Sequence, residues 1–324
     1  MDIGTNMKKL TLISLFAGCG GSSHGYKLSG NYDERLLVEW WKPAVNSLKM
    51  NYPSIPVLNI DISKVTGEEL LKNAGISALD VLDGSPPCQG FSMTGKREML
   101  DPRNDLVNHY IRLVHEVRPR VFVMENVKGM IQGIMKGLFN GYLESMKKNG
   151  YTVFAKLMNA QFYGIPQSRE RVIIIGFKSK KDADRWKWPE PSKTIIPLKD
   201  VLPSAISTVN HPMLSDSYGK LYDYIKPGKS AASVLNTGFN NCVRLDRNRP
   251  ASTIGKMQTL RGFATTCHPD QKRALTIEEC KIICSFPPDY KLDGDYTAQW
   301  GQLGNSVPPL MMKAIADQLT KALI

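Results

Sequence analysis

The chain reads as an α/β protein, a doubly wound, mostly parallel sheet with a second, smaller domain. Three observations predict this. Short apolar runs alternate with helix-patterned stretches through the first half. A glycine-rich turn at 16–25 follows the first of those runs directly. Beyond about residue 180 the alternation gives way to a stretch without βα rhythm, whose part from 204 to 242 is rich in Ser, Asn, Gly and Tyr.

Each element has its own justification. Residues 10–16, Leu-Thr-Leu-Ile-Ser-Leu-Phe, form the near-continuous apolar run of a buried strand. The runs at 35–39, 56–60, 79–83 and 120–124 repeat the pattern, and most end on a polar residue. Between the last two, Leu106, Tyr110, Val114 and Val117 recur at helical spacing. Residues 151–158 and 171–177 add two strands around a turn-rich loop. The run 186–192, Trp-Lys-Trp-Pro-Glu-Pro-Ser, is a proline-broken boundary. A helix is expected over 274–284, where Phe-Pro-Pro stops it, and a last one over roughly 310–323.

Composition narrows the function classes. A chain of 324 residues is ample for a real core. Its formal charge of +12, from 42 basic and 30 acidic residues, favours a polyanionic partner. No apolar run approaches the roughly 18 residues that span a bilayer. The start leads into a strand rather than a signal region, so a cytoplasmic protein with no membrane partner is expected. Of six cysteines, Cys19, Cys88, Cys242, Cys267, Cys280 and Cys284, none forms a paired Cys-x-x-Cys knuckle, so no metal is expected. Cys280 and Cys284 lie one helical turn apart and read as helix packing.

The glycine turn has the makings of a nucleoside site. Phe16-Ala17-Gly18-Cys19-Gly20-Gly21 offers backbone without Cβ atoms, ahead of a helix start with free N–H groups. Glu39 lies about 20 residues on, at a strand end where a carboxylate grips ribose hydroxyls. Trp40 is placed to stack on adenine, and Asp61 to accept from its amine. Counted from Gly18, the third glycine of a dinucleotide fingerprint would fall at Ser23, which disfavours NAD. His24, alone at a helix start, reads as a surface or capping residue.

Residues 84–92, Gly-Ser-Pro-Pro-Cys-Gln-Gly-Phe-Ser, hold the best candidate nucleophile. Two prolines fix φ near −65° ahead of Cys88, and small neighbours leave the thiol approachable. It follows a strand-like run, at the sheet edge where α/β proteins place chemistry. Glu125 closes another strand, so its carboxylate should emerge on the same edge and handle a proton. In Arg169-Glu-Arg171, alternation puts both guanidinium groups on one face.

At these residues the chain resembles the cytosine-5 DNA methyltransferases of bacterial restriction–modification systems. The resemblance rests on 16–21, Glu39-Trp40, Asp61, Pro86-Pro-Cys-Gln89, Glu125-Asn-Val127, Gln167-Ser-Arg-Glu-Arg171, Arg249-Pro-Ala-Ser-Thr-Ile254 and Gly304-Asn-Ser-Val-Pro308, in that order. Only 186–243, the variable target-recognition region of the family, lacks a counterpart. The resemblance implies a Rossmann-like fold that uses S-adenosylmethionine. Its catalytic domain would be 1–185 and 297–324, with a small target-recognition domain at 186–296. In the implied mechanism the Cys88 thiolate attacks ring carbon 6 of a flipped-out cytosine and makes carbon 5 nucleophilic. Glu125 would contact ring nitrogen 3 and the amino group, and Arg171 the exocyclic oxygen. Arg169 would help lower the thiol pKa.

The family pattern extends the cofactor set to Ile62, Pro87, Leu106, Asn305, Ser306 and Val307. It makes 92–106 a loop that closes over DNA, with Ser92, Thr94, Lys96, Arg97 and Arg103 as contacts beside Gln89. Arg244, Arg247 and Thr253 would meet DNA from the small domain. The implied partners are double-stranded DNA and a cognate restriction endonuclease, with the enzyme itself a monomer in the bacterial cytoplasm, at the nucleoid through its DNA. One rival is the transfer-RNA branch of the family, which favours Pro-Pro-Cys-Gln-Pro-Phe-Thr where this chain has Gly90-Phe-Ser92. Others are a non-catalytic DNA-binding relative, against which the full residue set argues, and a nicotinamide-dependent oxidoreductase.

Overall fold

The computed structural model describes residues 9–87, 105–133, 135–202, 212–235, 242–258 and 266–324. Cys88, Gln89, Ser92, Thr94, Lys96, Arg97 and Arg103 lie outside them. The chain divides into two compact units, one made of Met1–Met158, Arg171–Pro189 and Met312–Ile324, the other of Asn159–Glu170 and Glu190–Met311. The second unit therefore takes in 297–311, which the family pattern assigns to the catalytic domain.

The first unit is built on seven strands: β1 (Leu10–Leu15), β2 (Tyr32–Val38), β3 (Val57–Leu58), β4 (Val81–Gly84), β5 (Val121–Val127), β6 (Thr152–Asn159) and β7 (Glu170–Phe177). They lie in the order β3-β2-β1-β4-β5-β7-β6. The pairs from β3 to β5 are parallel, and β7 runs antiparallel to β5. Strand order reverses between β1 and β4, so a crevice opens at their carboxyl ends. All four residues of β4 and the first six of β5 are buried, as expected where helices cover both faces.

The helices carry local start and stop signals. α1 (Gly21–Ser29) starts after Gly20 and stops at Gly30, both in the left-handed region. α2 (Lys42–Asn51) carries a proline in its first turn, where no N–H is missed. α3 (Gly67–Ala74) opens on a capping box between Thr66 and Glu69. In α4 (Asp105–Val117) the buried stripe is Val107, Tyr110, Ile111, Val114 and Val117, with Leu106 half-buried at its margin. α5 (Met135–Lys148) adds Phe139, Tyr142 and Met146 to the same core. α6 (Lys180–Arg185) follows β7.

In the second unit, α7 (Asp216–Tyr222) and α8 (Ala232–Leu235) precede a short parallel pair, β8 (Val243–Arg244) and β9 (Thr266–Cys267). Leu214, Tyr222, Ile225, Ala231, Cys242 and Cys267 form a small core there. α9 (Ile277–Ile283) starts three residues later than the sequence suggests, because Thr276 and Glu279 close a capping box. Glu279 also takes a bidentate bond from the buried Arg273, at 2.8 and 2.7 Å. α10 (Tyr296–Asn305) leads to α11 (Pro309–Leu323). From Met312 onward α11 belongs to the first unit, where Tyr32 donates to the Ala316 carbonyl at 2.7 Å and Arg120 to the Leu323 carbonyl at 3.1 Å.

Candidate active site

The glycine turn hangs from the carboxyl end of β1. Phe16, Gly18 and Gly20 all take positive φ, at 52°, 56° and 91°. A Cβ added at Gly18 would meet nothing within 4 Å, so the space facing that backbone is open. Glu39, one residue past β2, holds the turn from below: one carboxylate oxygen accepts from Gly18 N at 2.8 Å. The other accepts from Trp40 N and Trp41 N at 2.9 and 2.8 Å. Burial pushes the Glu39 carboxyl above its ordinary range, and those three N–H bonds oppose the rise. Trp40 itself is 70% exposed, a free aromatic face beside the turn.

Asp61 and its neighbours sit past β3. The Asp61 carboxylate accepts from both Ser63 N and Ser63 Oγ at 2.9 Å, which holds its pKa below the usual range and leaves the side chain exposed. Ile62 is buried. Cys19 is also buried. Pro87 is exposed at the end of the run that leaves β4.

Three residues gather at the neighbouring strand ends. Because β7 runs against β5, its first residues lie beside the last of β5, with Arg171 opposite Val127. Arg171 Nε reaches Glu125 Oε1 at 2.8 Å, with side chains only 12% and 9% exposed. Burial lowers the Arg171 pKa, and the Glu125 carboxylate opposes that effect in part. Asn126 is buried next to them; its Oδ1 accepts from Val127 N at 2.8 Å and its Nδ2 donates to the Pro86 carbonyl at 3.3 Å. The carbonyl two residues ahead of Cys88 is thereby anchored to β5.

Behind the turn lies a buried acidic layer. Glu34 accepts from Ser14 Oγ at 2.6 Å and Ser23 Oγ at 2.8 Å, and burial raises its pKa to about 7. Asp83, on β4, accepts from Tyr26 OH at 3.3 Å. Burial, with the Glu34 charge next, raises its pKa to about 8.

The remaining candidates belong to the second unit. Arg169 precedes β7 and is buried; its Nη1 donates to the Ile254 carbonyl and its Nη2 to the Gly304 carbonyl, both at 2.9 Å. Arg171 lies on β7 with its Glu125 pair, whereas Arg169 stands one residue before that strand. Thr253 is exposed and donates to the Ser168 carbonyl at 2.8 Å. Asn305 is exposed, whereas Ser306 and Val307 are buried. Arg244 lies over the Tyr222 ring at 4.4 Å and donates to the carbonyls of Pro269 and Ile225. Arg247 pairs with Asp270.

Three amides were overlooked by sequence reasoning as site residues. Asn59 donates to the Glu39 and Trp40 carbonyls at 3.0 and 2.9 Å and so fixes the backbone under the exposed indole. Asn126 anchors Pro86, and Gln167 accepts from Ile254 N at 3.1 Å. Asn126 and Gln167 stand inside quoted motifs, the one available signal; Asn59 has none.

The fold and this edge define an α/β methyltransferase. The family described as C-5 cytosine-specific DNA methylase matches residues 10–321. Among relatives, Type II methyltransferase M1.HphI of Haemophilus parahaemolyticus is 32% identical, with 96% of this chain and 87% of that protein covered. Type II methyltransferase M.DdeI of Desulfomicrobium norvegicum is 30% identical, over 96% and 88%. A prophage-encoded structure from E. coli, described as a candidate DNA modification methyltransferase, superposes with TM-score 0.75 at 25% identity, covering 97% of this chain and 99% of that one. Spodoptera frugiperda DNMT2 shares the fold, with TM-score 0.73 at 18% identity over 96% and 100%. The chain belongs to the C-5 cytosine-specific DNA methylase family and is a DNA cytosine-5 methyltransferase.

Proposed function

We propose that this enzyme methylates carbon 5 of a cytosine flipped out of a short specific sequence in duplex DNA, with S-adenosylmethionine as donor and a covalent Cys88 adduct on the way. The observation that carries the reading is the Glu125–Arg171 pair at 2.8 Å, beside the anchored Pro86 that leads into Cys88.

The residues present fit the donor. The open face of Gly18, the exposed Trp40 and the carboxylates of Glu39 and Asp61 suit an adenosine. Ile62, Pro87, Leu106, Asn305, Ser306 and Val307 complete its contacts by family pattern. When bound, S-adenosylmethionine supplies an electrophilic methyl group.

The chain's own residues do the rest. The Cys88 thiolate bonds to ring carbon 6, and the ring electrons shift toward carbon 5 and nitrogen 3. Glu125 contacts nitrogen 3 and the amino group and offsets that charge with a proton. Arg171 holds the exocyclic oxygen while keeping Glu125 in place. After methylation a water takes the carbon 5 proton, and the electron pair of that bond re-forms the carbon 5–carbon 6 double bond. The carbon–sulfur bond breaks to release the thiolate, and nitrogen 3 returns its proton to Glu125. Flipping is required because the duplex hides these atoms.

DNA is held by Gln89, Ser92, Thr94, Lys96, Arg97, Arg103 and Thr253, with Arg244 and Arg247 as further contacts. The enzyme acts as a cytoplasmic monomer beside a cognate restriction endonuclease. Among the described residues no helix is long and apolar enough to cross a membrane. The test is to incubate the protein with labelled S-adenosylmethionine and either plasmid DNA or transfer RNA. Label recovered as 5-methylcytosine in DNA is expected. Label on RNA alone removes the DNA assignment, and none on either makes the chain a non-catalytic relative.

A further inference from the structure

Two thiols meet in the small core of the second unit. Cys242 stands one place before β8, and Cys267 ends β9, where it pairs with Arg244. Their sulfurs share a hydrogen bond at 3.7 Å, and both side chains are buried with Leu214, Tyr222, Ile225 and Ala231. Backbone bonds fix the chain around each of them. The Cys242 carbonyl accepts from Ala231 N at 2.8 Å, and Arg244 N reaches the Lys229 carbonyl at 3.1 Å. The Cys267 carbonyl accepts from Leu245 N at 3.2 Å, and Cys267 also bridges Ala274. A disulfide sets its sulfurs about 2 Å apart, so the gap left to close is under about 2 Å.

The two thiols are poised unequally. Their shared hydrogen bond draws Cys242 below its ordinary value and pushes Cys267 above its own. Cys242 therefore supplies the first thiolate, the form that reacts. Cys280 and Cys284, one helical turn apart in α9, are both pushed up by burial, which disfavours their thiolates. Next to the pair the structure is loosely held. Just after Ala231, α8 buries none of its residues, and its Val234 and Leu235 are 36% and 47% exposed. A core this small, beside such a helix, opens locally at low cost and admits a molecule little larger than water.

We propose that Cys242 and Cys267 are a site of reversible oxidation by hydrogen peroxide, which joins them in a disulfide within the second unit. The Cys242 sulfur attacks one peroxide oxygen, the oxygen–oxygen bond breaks and hydroxide leaves, giving a sulfenic acid. Attack by the Cys267 sulfur on the Cys242 sulfur then breaks the sulfur–oxygen bond and expels a second hydroxide. Both hydroxides become water with the two thiol protons. In sum the dithiol loses two electrons and the peroxide gains them. A dithiol reductant reverses the bond by exchange. The link closes the chain between 242 and 267 and holds the small core against local opening.

The test treats the folded protein with hydrogen peroxide, blocks the remaining thiols with N-ethylmaleimide and maps tryptic peptides by mass spectrometry. Trypsin leaves Cys242 in 230–244 and Cys267 in 262–272. These peptides should appear joined, two hydrogens lighter than their sum, and part again under dithiothreitol. Cys280 and Cys284 should carry maleimide. Thermolysin should cleave the second unit at least about tenfold more slowly once the protein is oxidised. Cys242→Ala should abolish both the link and the protection; if it does not fold, the peptide map of the unaltered protein still decides. Recovery of both thiols as maleimide adducts overturns the proposal, as does Cys242 carried on to sulfinic acid without a link. Pairing with another cysteine, a link that forms only in urea, or a link that leaves the cleavage rate unchanged overturns it too.

Discussion

Replacing Arg171 by Met should remove the buried counter-charge that faces Glu125. The two side chains are 12% and 9% exposed, and Nε stands 2.8 Å from Oε1. With charge centres about 4 Å apart and an effective dielectric near 20, the attraction is about 4 kcal/mol. Methionine keeps the volume but leaves the buried carboxylate without that cation, for which about 3–5 kcal/mol of lost stability is expected. The companion Glu125→Gln strands the guanidinium instead, and the double variant should recover part of either loss. Four of the five tryptophans, at 40, 41, 186 and 188, lie in the first unit, so fluorescence in a urea titration follows its unfolding. A loss under about 1 kcal/mol for Arg171→Met, or strict additivity in the double variant, would refute the reasoning.

The buried Asp83 predicts a pH dependence. Its carboxyl keeps a proton up to about pH 8 in the folded chain but releases it near 4 when unfolded. The folded state therefore binds more protons across that window, and stability falls as pH rises through it. Asp83→Asn removes this slope, so its melting temperature should gain on the parent far more at about pH 9 than at about pH 5; an equal offset at both contradicts the argument. Trp40→Ala should weaken S-adenosylhomocysteine binding at least about tenfold by calorimetry while stability stays within about 0.5 kcal/mol, since the indole is exposed. Gly84→Ala places a Cβ 2.5 Å from the Tyr110 ring and should cost about 1–3 kcal/mol, whereas Gly137→Ala, in open space on α5, should gain up to about 1. Equal effects at the two glycines would discredit the packing account.

Much of this was legible in the residues because parallel strands buried on both faces write themselves as apolar runs. The glycine turn, Glu39 and Glu125 followed from where those runs end. Helix ends were less legible: α9 starts late because Thr276 caps it, a local hydrogen-bond competition that apolar spacing does not record. The bonds of Arg169 were not legible, since alternation along a strand names a face and not a partner. Its carbonyl partners, Ile254 in a loop and Gly304 near the end of α10, lie far along the chain, and backbone carbonyls leave no mark in sequence. Asn59 acts on backbone as well and was invisible for the same reason, whereas Asn126 at least stood inside the Glu125-Asn-Val127 run.

The most direct measurement is to mix the protein with S-adenosylmethionine and duplex DNA whose cytosines carry fluorine at carbon 5. Fluorine cannot depart as a proton does, so sulfur should stay joined to the base, and mass spectrometry of the digest should find methylated 5-fluorocytosine on the peptide bearing Cys88. Methyl transfer to ordinary DNA with no such adduct, or an adduct that persists in Cys88→Ala, would contradict the account.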